Sequence, residues 1–341
     1  MTSKDWPLSA GWILESPPIR EYYRGRNVLV LGATGFLGWN CVRLLNGLGA
    51  RVTASTRTTA GRARLDSAQV AVGDLADADF AFRVIEGQDV VFDFVGVSGP
   101  VSTNLHPADS VMADCIPQVQ IAKACAQSPR LPFLVFCSSR LVYGHPRYLP
   151  VDEAHPLHPG SIYAVNKVAE ELYLRLHREL EGLRYCAIRL SNPFGPHPHP
   201  DWDAYGVLNQ FIRNAVKGKS IRIFGDGAQR RDYIYVDDVI AAFLLAPTNH
   251  ACTGEVFNLG GAAPIRIASA VKTISRLAGN SPVEFADWPE EYRKVETGDY
   301  LTDLSKIERL LDFRPRTSFE EGIRMTVKWH RYLDSGGAVR R

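Results

Sequence analysis

A chain of 341 residues, 45% of them hydrophobic, is long enough to bury one large core or two modest ones. A formal net charge of +2, with Lys and Arg spread along the chain, excludes an electrostatic case for a nucleic-acid partner. No run approaches the roughly 18 apolar residues of a spanning helix, and the first residues hold no apolar signal core, so a cytoplasmic protein without a membrane partner is expected.

Residues 1–26 carry Trp6, Trp12, Ile13, Leu14, Tyr22 and Tyr23 around three prolines, too aromatic for a flexible tail. An arm is expected, packed on its own domain or else reaching a partner or covering a site. The apolar run Val28 to Leu31 then reads as a buried parallel strand. It leads into Gly32-Ala-Thr-Gly-Phe-Leu-Gly38 and a helical pattern through Trp39, Val42, Leu44 and Leu45. In such a strand–turn–helix, Gly32 permits the tight turn, Gly35 lets the backbone approach a pyrophosphate, and Gly38 lets helix and strand pack closely. Thr34, Phe36 and Leu37 belong to the same phosphate-facing turn, at a helix N-terminus with free N–H groups and a positive dipole end.

Further strand-like runs follow at Arg51 to Ala54, Val90 to Val97, Phe133 to Cys137 and Tyr185 to Leu190, alternating with helical stretches. The alternation predicts an α/β fold, a doubly wound parallel sheet of Rossmann type with helices on both faces. Beyond Pro196 the pattern is irregular and rich in loops. The six cysteines lack Cys-x-x-Cys spacing and read as small buried hydrophobes in a reducing compartment. The loop Gly195-Pro-His-Pro-His-Pro-Asp-Trp-Asp203 offers His197, His199 and Asp201. Its alternating prolines suit an extended lid better than a metal site, and no metal is expected.

Three side chains carry the chemistry. The strand from Phe133 ends at Ser138 and Ser139, which places hydroxyls at the carboxyl end of a parallel strand, where open α/β sheets bind ligands. Tyr163 and Lys167 stand at i and i+4 of a predicted helix and share one face. The ammonium there is expected to lower the phenol from its ordinary pKa of about 10, making Tyr163 a proton shuttle, with Ser139 bonding the same substrate oxygen.

These segments, with Val72-Gly-Asp-Leu75, Arg189-Leu-Ser-Asn-Pro-Phe-Gly-Pro196, Arg231-Asp-Tyr-Ile-Tyr-Val-Asp-Asp238 and Phe257-Asn-Leu-Gly-Gly261, resemble the extended short-chain dehydrogenase/reductase superfamily and its sugar-nucleotide epimerases, dehydratases and reductases. The resemblance covers about residues 27 to 335. It implies an NAD(P)-binding domain over 27–195 and a smaller, interleaved substrate lobe over 196–341, with about 234–262 returning to the first domain. It makes Ser139, Tyr163 and Lys167 catalytic, with Tyr163 and Lys167 also touching the cofactor, and places Asp74 and Leu75 at the adenine. A nucleotide-diphosphate sugar would meet Ser139, Asn192, Phe224 at the base, and Arg231 at the diphosphate. The helix of Tyr163 and the one before it would form a four-helix homodimer interface; Val168, Leu172 and Leu176 make an apolar stripe that suits either that interface or a core.

Departures from the family pattern narrow the reading. The second strand, Arg51-Val-Thr-Ala-Ser-Thr-Arg-Thr58, lacks the carboxylate that holds a ribose 2′-hydroxyl. It offers Ser55, Thr56 and Arg57 to a 2′-phosphate, favouring NADP with NAD possible. Glu296 replaces an arginine common in the family, and Arg293 is available to substitute. Dehydratases of this branch carry Asp-Glu after the active hydroxyl, whereas Ser139 is followed by Arg140 and Leu141. The expectation is an epimerase acting at C4 of an NDP-hexose through a keto intermediate, with a 4-keto-sugar reductase as the alternative and a non-catalytic NADP sensor as a third.

Overall fold

Strand β1, Asn27–Leu31, sends alternate side chains to two different cores: Val28 and Val30 into one, Leu29 and Leu31 into the other. A strand that is apolar at every position must be covered on both faces, and the alternation of Cβ directions sets which core each residue joins. The same division recurs in β4 (Val90–Asp93), β5 (Phe133–Ser139) and β6 (Tyr185–Leu190), where Phe92, Val135 and Ile188 face one core and Val91, Phe136 and Ala187 the other.

The computed structural model describes residues 11–59, 65, 69–97, 99–197 and 206–336. Seven strands form one sheet in the order β10-β6-β5-β4-β1-β2-β3, all neighbours parallel, with β2 at Arg51–Thr56, β3 at Gln69–Val72 and β10 at Val256–Leu259. Chain order reverses between β1 and β4, and in open parallel sheets the ligand crevice lies at the carboxyl ends of such a pair. The sequence reading thus holds for the doubly wound sheet. It ran the fourth strand too far: β4 ends at Asp93, whose carboxylate accepts the Val95 N–H at 3.0 Å, and Gly96 follows at φ 148°.

Beyond β6 the chain builds smaller sheets. One contains β7 (Asn192–Phe194), β9 (Arg230–Tyr235) and β11 (Pro264–Arg266); the other pairs β8 (Ile221–Phe224) with β12 (Val283–Ala286). At the amino end, Ile13, Ile19 and Tyr23 from helices Gly11–Glu15 and Pro17–Tyr23 are buried in the larger core. Tyr23 donates its hydroxyl to the Leu244 carbonyl at 2.8 Å. The described part of the arm packs on its own chain, and residues 1–10 lie outside the described residues.

The six cysteines are free, five of them buried and Cys137 partly so. Among the described residues no helix is long and apolar enough to cross a membrane, and no cluster of His, Cys, Asp or Glu suits a metal. His197 is buried with its ring near Phe36 and Trp39; His199 and Asp201 lie outside the described residues.

Candidate active site

The glycine turn after β1 is built for close approach. Gly32 sits at φ 68°, where an added Cβ would stand 2.7 Å from the Phe94 carbonyl oxygen; a Cβ on Gly38 would stand 2.3 Å from the Gly32 oxygen. Helix Phe36–Gly47 starts at Gly35 with no side-chain cap, so no capping side chain stands over its first turn. The neighbouring cavity, about 200 Å³, is lined by Gly32, Thr34, Gly35, Ser55, Thr56, Arg57, Asp74 and Leu75 together with the chain after β4. An uncapped helix end beside bare glycine backbone, with Asp74 and Arg57 along one wall, fits a dinucleotide. Phe36 and Leu37 turn their side chains into the core, and neither lines that cavity.

Arg57 is exposed at the end of β2, and no carboxylate stands on that strand. Asp74 uses Oδ1 to accept the Ala76 N–H at 2.9 Å, which shapes the turn after β3.

The catalytic candidates come from two elements. Ser139 ends β5, and its Oγ accepts the Leu141 N–H at 3.2 Å, capping the short 3₁₀ turn Arg140–Tyr143. Ser138, its neighbour, points the other way and donates to Glu171. Helix Ile162–Glu181, capped by Ser161 accepting from the Ala164 N–H at 3.3 Å, carries Tyr163 and Lys167. The ammonium of Lys167 lies against the Phe136 ring at 4.7 Å, and a Cβ on Gly96 would meet it at 3.3 Å.

The electrostatics overturn one expectation. Tyr163 is not lowered but pushed up to about 12: burial dominates, Lys167 and a hydrogen bond with Ser139 oppose it, and Cys137 and Glu170 add to it. Lys167 does act as expected, but Glu170 holds its ammonium at 2.8 Å and offsets its charge. Burial pulls the Lys167 pKa down, yet Glu170 and the other negative groups leave it above its ordinary value, so it stays charged. Burial also lifts Glu170 to about 7 and Asp93 to about 6, each restrained by Lys167 among other partners.

Glu171, adjacent in sequence, serves a different wall. Its two oxygens accept from Arg189 at 3.0 and 2.7 Å. Arg189 in turn donates to Tyr143 at 2.8 Å, and Tyr143 to Asn258 at 2.7 Å, tying β6, the turn after Ser139 and β10 together.

A second cavity, about 550 Å³, gathers Asn192, Phe224 and Arg231. Phe224 shares an aromatic wall with Trp288 and Tyr292, ring centroids 5.7 and 5.6 Å away, which sequence reasoning missed; a Trp and a Tyr four residues apart just before Glu296 were the available signal. Arg231 is tied to Glu296 and to the carbonyls of Gly298 and Arg230. Arg293, the expected substitute, is exposed and does not line this cavity.

The NAD dependent epimerase/dehydratase family model matches residues 28–260, spanning the glycine turn, Ser139, the Tyr163 helix and Arg231. The chain belongs to that family. It is 30% identical over 317 residues to the UDP-glucose 4-epimerase of Mycolicibacterium smegmatis, covering 89% of this chain and 98% of that one. Among solved structures it is similar to the UDP-glucose 4-epimerase of Thermotoga maritima with UDP-glucose, at 26% identity and a TM-score of 0.82, over 90% of this chain and 99% of that one. It is also similar to the dTDP-glucose 4,6-dehydratase DesIV of Streptomyces venezuelae with NAD bound, at 25% identity and a TM-score of 0.81, over 92% and 100%. Membership of the extended short-chain dehydrogenase/reductase superfamily, first read from the motifs, therefore stands, and with it the NAD dependence of the family.

Proposed function

We propose that this chain is an NAD(P)-dependent epimerase acting at C4 of a nucleoside-diphosphate hexose through a transient keto sugar. The observation that carries the reading is the character of the residues at the end of β5: Ser139 supplies the hydroxyl, while Arg140 and Leu141, which follow it, bear no carboxyl group. A 4,6-elimination needs an acid and a base at those two places, so oxidation and return without elimination is the chemistry these side chains suit.

When bound, the nicotinamide supplies the two-electron acceptor for the sugar carbon. Tyr163 takes the hydroxyl proton, Ser139 holds the oxygen, and Lys167 keeps a positive charge beside the phenolate. After the keto sugar turns over, Tyr163 returns the proton to the same oxygen and the inverted alcohol departs. Asn192, Phe224 and Arg231 hold the nucleotide diphosphate in the larger cavity, Phe224 with Trp288 and Tyr292 packing the base. Arg57, with Ser55 and Thr56, favours NADP through a 2′-phosphate. Residues 27–195 serve as the cofactor domain and 196–341 as the substrate lobe, with about 234–262 returning to the first. Leu172 and Leu176, 47% and 50% exposed on the Tyr163 helix, support a four-helix homodimer face.

Proton NMR with NAD or NADP and UDP-, dTDP-, GDP- and CDP-hexoses tests this reading. A new anomeric signal without net change in cofactor absorbance is expected. The Arg57 wall also favours a second reading, an NADP-dependent 4-keto-sugar reductase; silence on every hexose with cofactor oxidation on a 4-keto sugar nucleotide would replace the first reading with it.

A further inference from the structure

Among the charged groups of the larger cavity, Arg140 stands apart. It lines that cavity one residue after Ser139 and is only 8% exposed. One nitrogen donates to the Thr297 hydroxyl at 3.0 Å, and the guanidinium lies 4.8 Å from the centre of the Tyr300 ring. Among the described residues no carboxylate comes within ion-pair distance of it. The other cations of the cavity differ: Arg231 is paired with Glu296, and Arg222 lies near Glu284 at the exposed rim.

An arginine has five N–H donors in a fixed fork, and a buried one normally directs them at a carboxylate or phosphate. Arg140 has one neutral hydroxyl and an aromatic face. Leaving a desolvated cation without a directly paired carboxylate is costly, and the nearby Arg231 adds to that cost; Arg140 is drawn down to about 10, with burial the main cause, while Tyr300, Asp232 and Glu296 oppose this through space.

We propose that Arg140 is a further anion-recognising residue of the substrate cavity, beside Arg231, pairing with an acidic group of the substrate. This inference rests on the sugar-nucleotide reading above. The acidic group has two sources of one chemistry, the diphosphate or a carboxylate carried by the sugar, as in a hexuronate. Glu296 pairs directly with Arg231, whereas Asp232 and Glu296 act on Arg140 only through space, so Arg140 is the buried guanidinium of the site with no carboxylate bonded to it. Arg140 follows Ser139 directly in the chain, at the end of β5. Substrates without the anion are discriminated against because the guanidinium then stays unpaired.

Isothermal titration of the NADP-loaded protein with UDP, dTDP, GDP and CDP, then with the hexose and hexuronate forms of whichever nucleotide binds, compares wild type with Arg140→Met and Arg140→Lys. Thermal denaturation and NADP affinity confirm that each variant is folded; Arg140→Lys, which keeps the charge, secures the test where Arg140→Met does not fold. Arg140→Met is expected to lose on the order of ten- to hundred-fold in affinity, and Arg140→Lys less. A loss already present with the nucleoside diphosphate assigns the diphosphate. A loss confined to the hexuronate assigns a sugar carboxylate. Equal affinities for every probe in all three proteins overturn the proposal while leaving the sugar-nucleotide reading intact. No binding of any probe to wild type removes that reading, and this one with it.

Discussion

The Nζ of Lys167 lies 2.8 Å from Oε2 of Glu170, one turn further along the same helix, with both side chains sealed from solvent. A lysine placed to favour a phenolate thus carries its own counter-charge, and Tyr163 keeps a high pKa beside it. Glu170→Gln leaves the size of the side chain nearly unchanged but removes the negative charge. The limb of kcat/KM that rises with deprotonation of Tyr163 is expected to move about one pH unit toward acid. An unmoved limb in the variant would show that Glu170 does not govern the tyrosine. Burial lifts Glu170 to about 7, so its contribution to folding is full below its ordinary carboxylate pKa and is lost as pH rises through 7. The variant should lack that loss in denaturant titrations.

Tyr163→Phe removes the proton carrier without emptying the helix face. Turnover is expected to fall by roughly 10²–10⁴-fold while NADP affinity changes by less than about twofold. Turnover at the wild-type rate would remove Tyr163 from the proton path.

Arg57 is exposed and stands at the edge of the smaller cavity, so its replacement should not disturb the core. Arg57→Ala is expected to weaken NADP binding about tenfold and to leave NAD binding unaltered. Equal losses for both cofactors, measured by fluorescence titration, would detach this arginine from the 2′-phosphate.

His330, on helix Phe319–Asp334, is buried and held down to about 4, chiefly by desolvation; Asp334 opposes this, and Arg213 and Lys217 reinforce it. A histidine kept neutral in the fold but free to take a proton when unfolded stabilises the protein above its ordinary pKa of about 6.5. That stability is lost as pH falls toward 4, by about 3 kcal/mol in all. The denaturation midpoint should therefore drop between pH 7 and pH 5 in wild type and drop less in His330→Gln. Parallel curves would assign the acid sensitivity to other groups.

The parts legible in sequence were those whose meaning is local. The glycine turn announces itself because Gly32 needs a positive φ and Gly38 has no room for a Cβ, both consequences of a few consecutive residues. The strand runs were readable because a doubly covered strand is apolar at every step. Glu170 and Glu171 show where this stops. They are neighbours in sequence, yet about 100° of helical rotation sends one to Lys167 and the other to Arg189 on β6. Only the packed sheet tells them apart. Likewise the tie of Arg231 to Glu296 crosses 65 positions of chain and is written in neither local segment. Trp288 and Tyr292 reach Phe224 only because β8 pairs with β12. The high pKa of Tyr163 was hidden for the same reason: spacing reveals the lysine, not the burial.

The hydrogen bond from Tyr23 to Leu244 spans 221 positions. During synthesis, the helices Gly11–Glu15 and Pro17–Tyr23 cannot complete their seat until the helix ending at Leu245 has also left the ribosome. Tyr23 packs on Phe92 but waits for its Leu244 partner while the strands between them are made. The final seat of the two helices comes late, so a nascent chain halted before Leu244 leaves both without that anchor.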